Sequence, residues 1–261
     1  MTNYETITLE SDSRGVATLT LERAEKHNAM SAQMIAELSD VAAALARDNT
    51  VRVVVLTGAG KSFCAGGDLA WMQEQMRADG ETRYREARKL AEMLNALNLL
   101  PQPVIGAIQG NAFGGGLGLV SICDVAIGVN TLKFGFTEAR LGLIPATISP
   151  YCLARMGEAM ARRVFMSARL FGAGEAVTLG LLAKAVPAEE LADSVEAEVV
   201  PYLACAPSAV AASKRLARNM GPVIDDAVID RTIRALVSQW ETEEARDGVS
   251  AFFEKRKAAW M

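Results

Sequence analysis

From Ile7 to Leu21 apolar and polar residues alternate. Ile7 and Leu9, then Val16, Ala17, Leu19 and Leu21, lie on either side of a turn at Ser13-Arg14-Gly15. Period-two alternation predicts two short strands, because successive side chains leave opposite faces of a strand. After Asn28 the period lengthens: Met34, Leu38, Val41 and Leu45 recur at spacings of four, three and four. That spacing marks one helix face, and Ser31 is placed to cap it. Residues 51–57 form a β-branched run suited to a strand buried on both faces. A glycine-rich loop, 58–67, follows it. Two helices are predicted next, one from Asp68 and one carrying Leu90, Leu94 and Leu97 on a single face. Residues 103–109 and 124–129 are further buried strands, separated by Gly114-Gly115-Gly116. Strand, helix, strand, helix, strand predicts an α/β fold on a parallel sheet with right-handed crossovers. Beyond about Ser149 strand signals fade, apart from Lys184-Ala185-Val186. The expected organisation is a core over 1–199 and a helical region over 200–261 that packs on the core or on a neighbouring subunit.

Composition narrows the function classes. Of 261 residues 22% are charged, the formal net charge is −4, and no long Lys/Arg run occurs, which disfavours nucleic acid as a partner. Cys64, Cys123, Cys152 and Cys205 are scattered and His27 is the single histidine, so neither a zinc site nor a disulfide scaffold is expected. The first ten residues lack the charged head and apolar stretch of a signal peptide. No apolar run reaches the roughly 18 residues a membrane helix needs, so a cytoplasmic protein with no membrane partner is expected.

The predicted strands over 51–57 and 103–109 point their carboxyl ends to one sheet edge, and each runs into a glycine-rich loop and then a helix. Ligands bind at that edge in open α/β sheets. Glycine admits a ligand close to the main chain, and a helix start adds unpaired N–H donors. Two such donors from two loops would form an oxyanion hole. The competing reading, that the glycines serve only turns and close packing, applies to either loop alone. Other motifs fail. Gly60-Lys61-Ser62 resembles the end of a P-loop, but Val55 stands where its first glycine belongs. No G-x-G-x-x-G follows a strand and no G-x-S-x-G elbow occurs. His27 reads as a surface or capping residue.

Several segments resemble the crotonase family. Phe63-Cys64-Ala65-Gly66-Gly67-Asp68-Leu69 is similar to its first oxyanion segment, and residues 111–118 followed by Cys123-Asp124 are similar to its second. Residues 134–145 resemble its glutamate segment, residues 252–257 its C-terminal helix, and residues 23–30 its early loop, with Ala24 in place of the usual proline. The resemblance implies the ClpP/crotonase fold, a spiral core of repeated β-β-α turns with C-terminal helices, assembled as a homotrimer or dimer of trimers through residues 200–261. It implies that the N–H groups of Gly67 and Gly115 receive a thioester oxygen. It also implies that an acyl-CoA lies along residues 26–29 and 65–69, touching Lys26, Ala29, Ala65, Gly66, Asp68 and Leu69, and beside Gly114. Phe252 and Lys255 would meet the ribose 3′-phosphate. No cofactor is implied beyond the coenzyme A that the substrate carries.

The family's hydratases use two glutamates. This chain keeps the second as Glu138 and has Gly118 at the first. One carboxylate fits a Δ3,Δ2-enoyl-CoA isomerase. Residues 68–72 and 146–150, however, resemble the branch of 3-methylglutaconyl-CoA and isohexenylglutaconyl-CoA hydratases, which also tends to have glycine at the first position. The favoured expectation is therefore hydration of a branched dicarboxylic enoyl-CoA. Arg140 would bind the second carboxylate, on the premise that 138 and 140 share a face of an extended segment. A non-catalytic acyl-CoA-binding subunit is the rival from another class, and other enolate chemistries share the scaffold. Asp124 is expected to be structural and Asp68 to cap the helix that it begins. Residues 72–83 and 146–156 are expected to shape the acyl pocket.

Overall fold

The computed structural model describes residues 4–261. Strands β1 (Ile7–Ser11) and β2 (Val16–Leu21) pair antiparallel and bury Ile7, Leu19 and Leu21. Helix α1 (Ala32–Leu45) begins where the Met34 N–H donates to Ser31 Oγ (3.2 Å), and its four periodic apolar residues are all buried. Strand β3 (Val53–Gly58) lies parallel to β2 with residues 53–56 covered on both faces.

The glycine-rich loop then departs from expectation. Inside it β4 (Ser62–Cys64) enters a second sheet before α2 (Leu69–Arg77) and α3 (Gly80–Asn98) begin. The unit recurs: β5 (Val104–Ile108) in the first sheet, β6 (Asn111–Phe113) in the second, then α4 (Gly115–Ile122). It recurs again as β7 (Val125–Val129), β8 (Lys133–Gly135) and α5 (Ser149–Phe165). The single sheet of the periodicity reading is thus corrected to two, and each turn of the spiral opens strand, strand, helix, the β-β-α repeat that the resemblance implied. Strands of three residues are too short to display an alternation, which is why the pattern missed them.

The remainder is β9 (Phe171–Gly172), α6 (Ala173–Thr178), β10 (Lys184–Val186), α7 (Leu191–Leu203), α8 (Pro207–Met220), α9 (Asp226–Trp240) and α10 (Glu243–Glu254). The first sheet runs β1-β2-β3-β5-β7-β10, parallel after its first pair. The second runs β4-β6-β8-β9, parallel except for β8–β9. Position 199 falls inside α7. Helix α9 buries Ile229 and Ile233 against Ala87 and Ala91 of α3. Among the described residues no single helix is long and apolar enough to cross a membrane.

Asp124 is structural. Its Oδ2 accepts from the Val104 N–H (2.8 Å) and from Lys214 Nζ (2.6 Å), tying β7 to β5 and to α8. His27 is exposed, with Nδ1 3.1 Å from Ser62 Oγ.

Candidate active site

The strand-to-helix connections of the first two spiral turns meet at one place. Residues 27–30 run beside 65–68: Ala65 N–H donates to the His27 carbonyl (3.0 Å), Met30 N–H to Gly66 (2.8 Å) and Asp68 N–H to Met30 (3.0 Å). Arg23 clamps the pair, its Nη1 donating to the Ala29 carbonyl (2.7 Å) and to Asp68 Oδ2 (3.0 Å). Asp68 also caps α2, accepting from Ala70 N–H at 2.9 Å. Burial alone would raise the Asp68 pKa, but the Arg23 guanidinium and the helix-start amides outweigh it and hold the carboxyl below its usual range. In this arrangement the bonds at Met30 and Asp68 use the amides on one edge, and the Gly67 N–H between them has no acceptor.

Gly115 opens α4, where the first N–H groups of a helix lack an intrahelical acceptor, and its amide is free as well. The connections approach closely because Gly66 (φ 98°) and Gly114 (φ 48°) adopt backbone that other residues rarely do. A Cβ on Gly66 would stand 3.7 Å from the Gly115 nitrogen, and one on Gly114 would stand 3.1 Å from Glu138 Oε1. Gly67, Gly115 and Glu138 all line one cavity of about 610 Å³.

Glu138 begins a 3-10 turn, Glu138–Leu141, that Gly142 closes with φ 70°. Its Oε2 is sealed from solvent and has no hydrogen-bond partner. Burial pushes the carboxyl pKa up to about 7, with a backbone hydrogen bond opposing only weakly. Among the described residues it is the one acidic side chain on the cavity wall. At Gly118, the position of the family's first glutamate, a Cβ would lie 2.6 Å from Ile148 Cγ2 and 3.3 Å from Leu94 Cδ1. Apolar side chains fill the space a second carboxylate would need.

Other anticipated residues are distributed unevenly. Ala65, Gly66, Leu69, Gly114, Arg140 and Phe252 line the cavity. Lys26 is exposed in the turn Ala24–Lys26, Ala29 is buried beneath it, Asp68 serves as a cap, and Lys255 is the exposed C-cap of α10; none of these four is on the wall. The premise for Arg140 needs correction. Residues two apart on a 3-10 turn point well apart, so 138 and 140 do not share a face. Arg140 nevertheless reaches the cavity from an exposed position with no hydrogen bond or ion pair.

Sequence reasoning missed other residues of the wall, among them Met30, Trp71, Leu143, Leu236, Trp240 and Arg256. The last three come from the C-terminal region of the same chain. Arg256 is held by Asp247 and Glu254, both at 2.7 Å. Of the two segments expected to shape the acyl pocket, Met72 and residues 146–148 do so, whereas Met156 is in the core and Arg83 packs 5.6 Å from the Trp240 ring.

Residues 11–261 match the family model described as enoyl-CoA hydratase/isomerase. The chain belongs to that family. Among its relatives, the crotonyl-CoA hydratase of Syntrophomonas wolfei is 33% identical, covering 99% of this chain and 98% of that one. The short-chain-enoyl-CoA hydratase of Clostridium acetobutylicum is 34% identical over 96% and 95%. The crystal structure of an enoyl-CoA hydratase from Shewanella pealeana superposes with a TM-score of 0.80 at 35% identity, covering 98% and 96%. This family member is an enzyme of the hydratase/isomerase type, and among the described residues its cavity wall carries one acidic side chain together with two unbonded main-chain amides.

Proposed function

We propose that the protein hydrates an α,β-unsaturated acyl-CoA thioester, with Glu138 performing both proton transfers. The carbonyl oxygen would lie between the Gly67 and Gly115 N–H groups, which stabilise negative charge best when it develops. Water adds through its oxygen to Cβ and gives one proton to the Glu138 carboxylate, leaving an enolate on the thioester. Glu138 then returns that proton to Cα, so both bonds form on one face and atoms balance. A carboxyl with a pKa of about 7 suits a group that must be base and then acid near neutral pH. Coenzyme A enters with the substrate, and no further cofactor is needed.

The observation that carries this reading is Glu138 Oε2, sealed and without a partner, on the same wall as the two free amides. Glu138→Gln should lower hydration of crotonyl-CoA by about 10²-fold or more while binding is kept. For the native enzyme kcat/KM should rise with pH through about 7 as the base form appears. Full activity in Glu138→Gln would refute the reading and favour an acyl-CoA-binding role.

The favoured substrate class is a branched dicarboxylic enoyl-CoA such as 3-methylglutaconyl-CoA. Arg140 supports it as an unpaired cation on an otherwise mostly apolar wall. Arg140→Ala should raise KM for a dicarboxylic enoyl-CoA about tenfold, the worth of one charged hydrogen bond, and leave crotonyl-CoA unaffected. An unchanged KM would remove this specificity. A second reading, Δ3,Δ2-isomerisation, is favoured by the filled space at Gly118, so each ester should be assayed for double-bond migration too. The exposed apolar residues Leu216, Met220 and Val223 on and beside α8 support a homotrimer or dimer of trimers.

A further inference from the structure

The cavity wall carries a hydroxyl group that the scheme above leaves unused. Thr147 is only 7% exposed and lines the cavity, yet its hydroxyl makes no hydrogen bond to any described residue. Its oxygen is not sealed from solvent, so the hydroxyl opens into the cavity, where it can accept from or donate to whatever enters. Its neighbours are satisfied: Ser149 Oγ donates to the Ala146 carbonyl at 2.7 Å, and the turn is closed by Ala146 N–H to Ile144 (2.8 Å) and Ser149 N–H to Ala146 (3.1 Å). The backbone around Thr147 is thus fixed while its hydroxyl is left open to whatever enters.

Its location adds to this. Ile148, the next residue, presses its Cγ2 against Gly118 and fills the space where the family's first glutamate would lie. Gly118 is three residues beyond Gly115 on α4, and one helical turn rises about 5 Å. Thr147 therefore joins the wall beside the residue that fills the Gly118 position. Thr137, the other hydroxyl with no bond on this wall, is less buried and directly precedes Glu138.

We propose that the Thr147 hydroxyl holds the attacking water in the place of the missing first carboxylate. Its oxygen accepts a hydrogen bond from the O–H that stays on the product as the β-hydroxyl. The other water proton goes to Glu138 and then to Cα, so Thr147 gains and loses no proton. This role rests on the hydration reading above. It needs no second carboxyl, because Glu138 does the proton transfer and Thr147 only fixes where the oxygen sits.

The test compares Thr147→Val, which keeps the shape and removes the hydroxyl, with Thr147→Ser and Glu138→Gln. Two rates are measured for each: hydration of crotonyl-CoA, and exchange of the α-proton of butyryl-CoA in D₂O, which needs Glu138 and the oxyanion amides but no added water. Thr147→Val should lower kcat for hydration by about 10- to 100-fold with KM nearly unchanged, the size expected for one lost hydrogen bond at a buried site. Its exchange rate should be kept, and Thr147→Ser should restore most of the hydration. Full hydration by Thr147→Val, or equal losses of hydration and exchange, would overturn the role of Thr147 while leaving Glu138 in place. Retention of both rates in Glu138→Gln would instead overturn the hydration scheme itself.

Discussion

Glu138 illustrates how burial alone can prepare a side chain for chemistry. No cation neutralises it and no donor reaches Oε2, so the charged form is disfavoured by lost hydration and the pKa rises to about 7. The same shift has a cost in stability. A carboxyl whose folded pKa exceeds its unfolded value, here 4.5, contributes stability below pH 4.5 and loses it as pH rises through 7. Glu138→Gln should therefore be more stable than the native chain at pH 8, by about 3 kcal/mol, and melt higher, and this advantage should vanish near pH 4.5. Thermal melts of both proteins across that range would check it, and a constant difference would contradict it. The glutamate could be found from its motif, and its protonation depends on what covers it. Arg140 was placed on the wrong premise, because local spacing cannot distinguish an extended segment from a 3-10 turn.

At the level of elements, the turn Glu138–Leu141 depends on α10. Gly142 ends it with φ 70°, and a Cβ there would lie 2.6 Å from the Glu244 carbonyl. Gly248 of α10 sits equally close to the Leu141 carbonyl, and Gln239 Nε2 donates to the Gly142 carbonyl at 2.7 Å. The turn that carries Glu138 is thus held by the C-terminal helices. Gly142→Ala should cost about 1–2 kcal/mol from the left-handed backbone, with the clash against Glu244 adding to it, and should lower kcat as the turn shifts. Gly174→Ala, where a Cβ meets nothing within 4 Å, is the control that leaves both unchanged. Differential scanning calorimetry and crotonyl-CoA hydration would read the two effects. Of the elements themselves, α1, β3, α3 and β10 were legible from period and capping. The three-residue strands β4, β6 and β8 were not, because so few residues carry no period.

Across the whole molecule, the cavity is assembled from segments far apart in the chain: Met30, Gly67, Gly115, Glu138, Trp240 and Phe252 share one wall. Helices α9 and α10 close it, with Leu236 and Trp240 facing residues of α2 and of the turn after Gly142. The expected division into a core and an appended helical region understates this. The last third of the chain provides part of the site as well as part of the packing.

By itself the sequence determined what depends on local physics: which residues alternate or recur on a helix face, where Ser31 and Asp68 cap, and which glycines and which glutamate match the family's motifs. Tertiary structure alone decided the splitting of one sheet into two and the release of the Gly67 and Gly115 amides from backbone bonding. It also decided the burial that sets Glu138 near pH 7 and the filling of the space at Gly118 by Ile148. Each of these depends on which distant atoms come into contact, and spacing along a chain does not encode that distance.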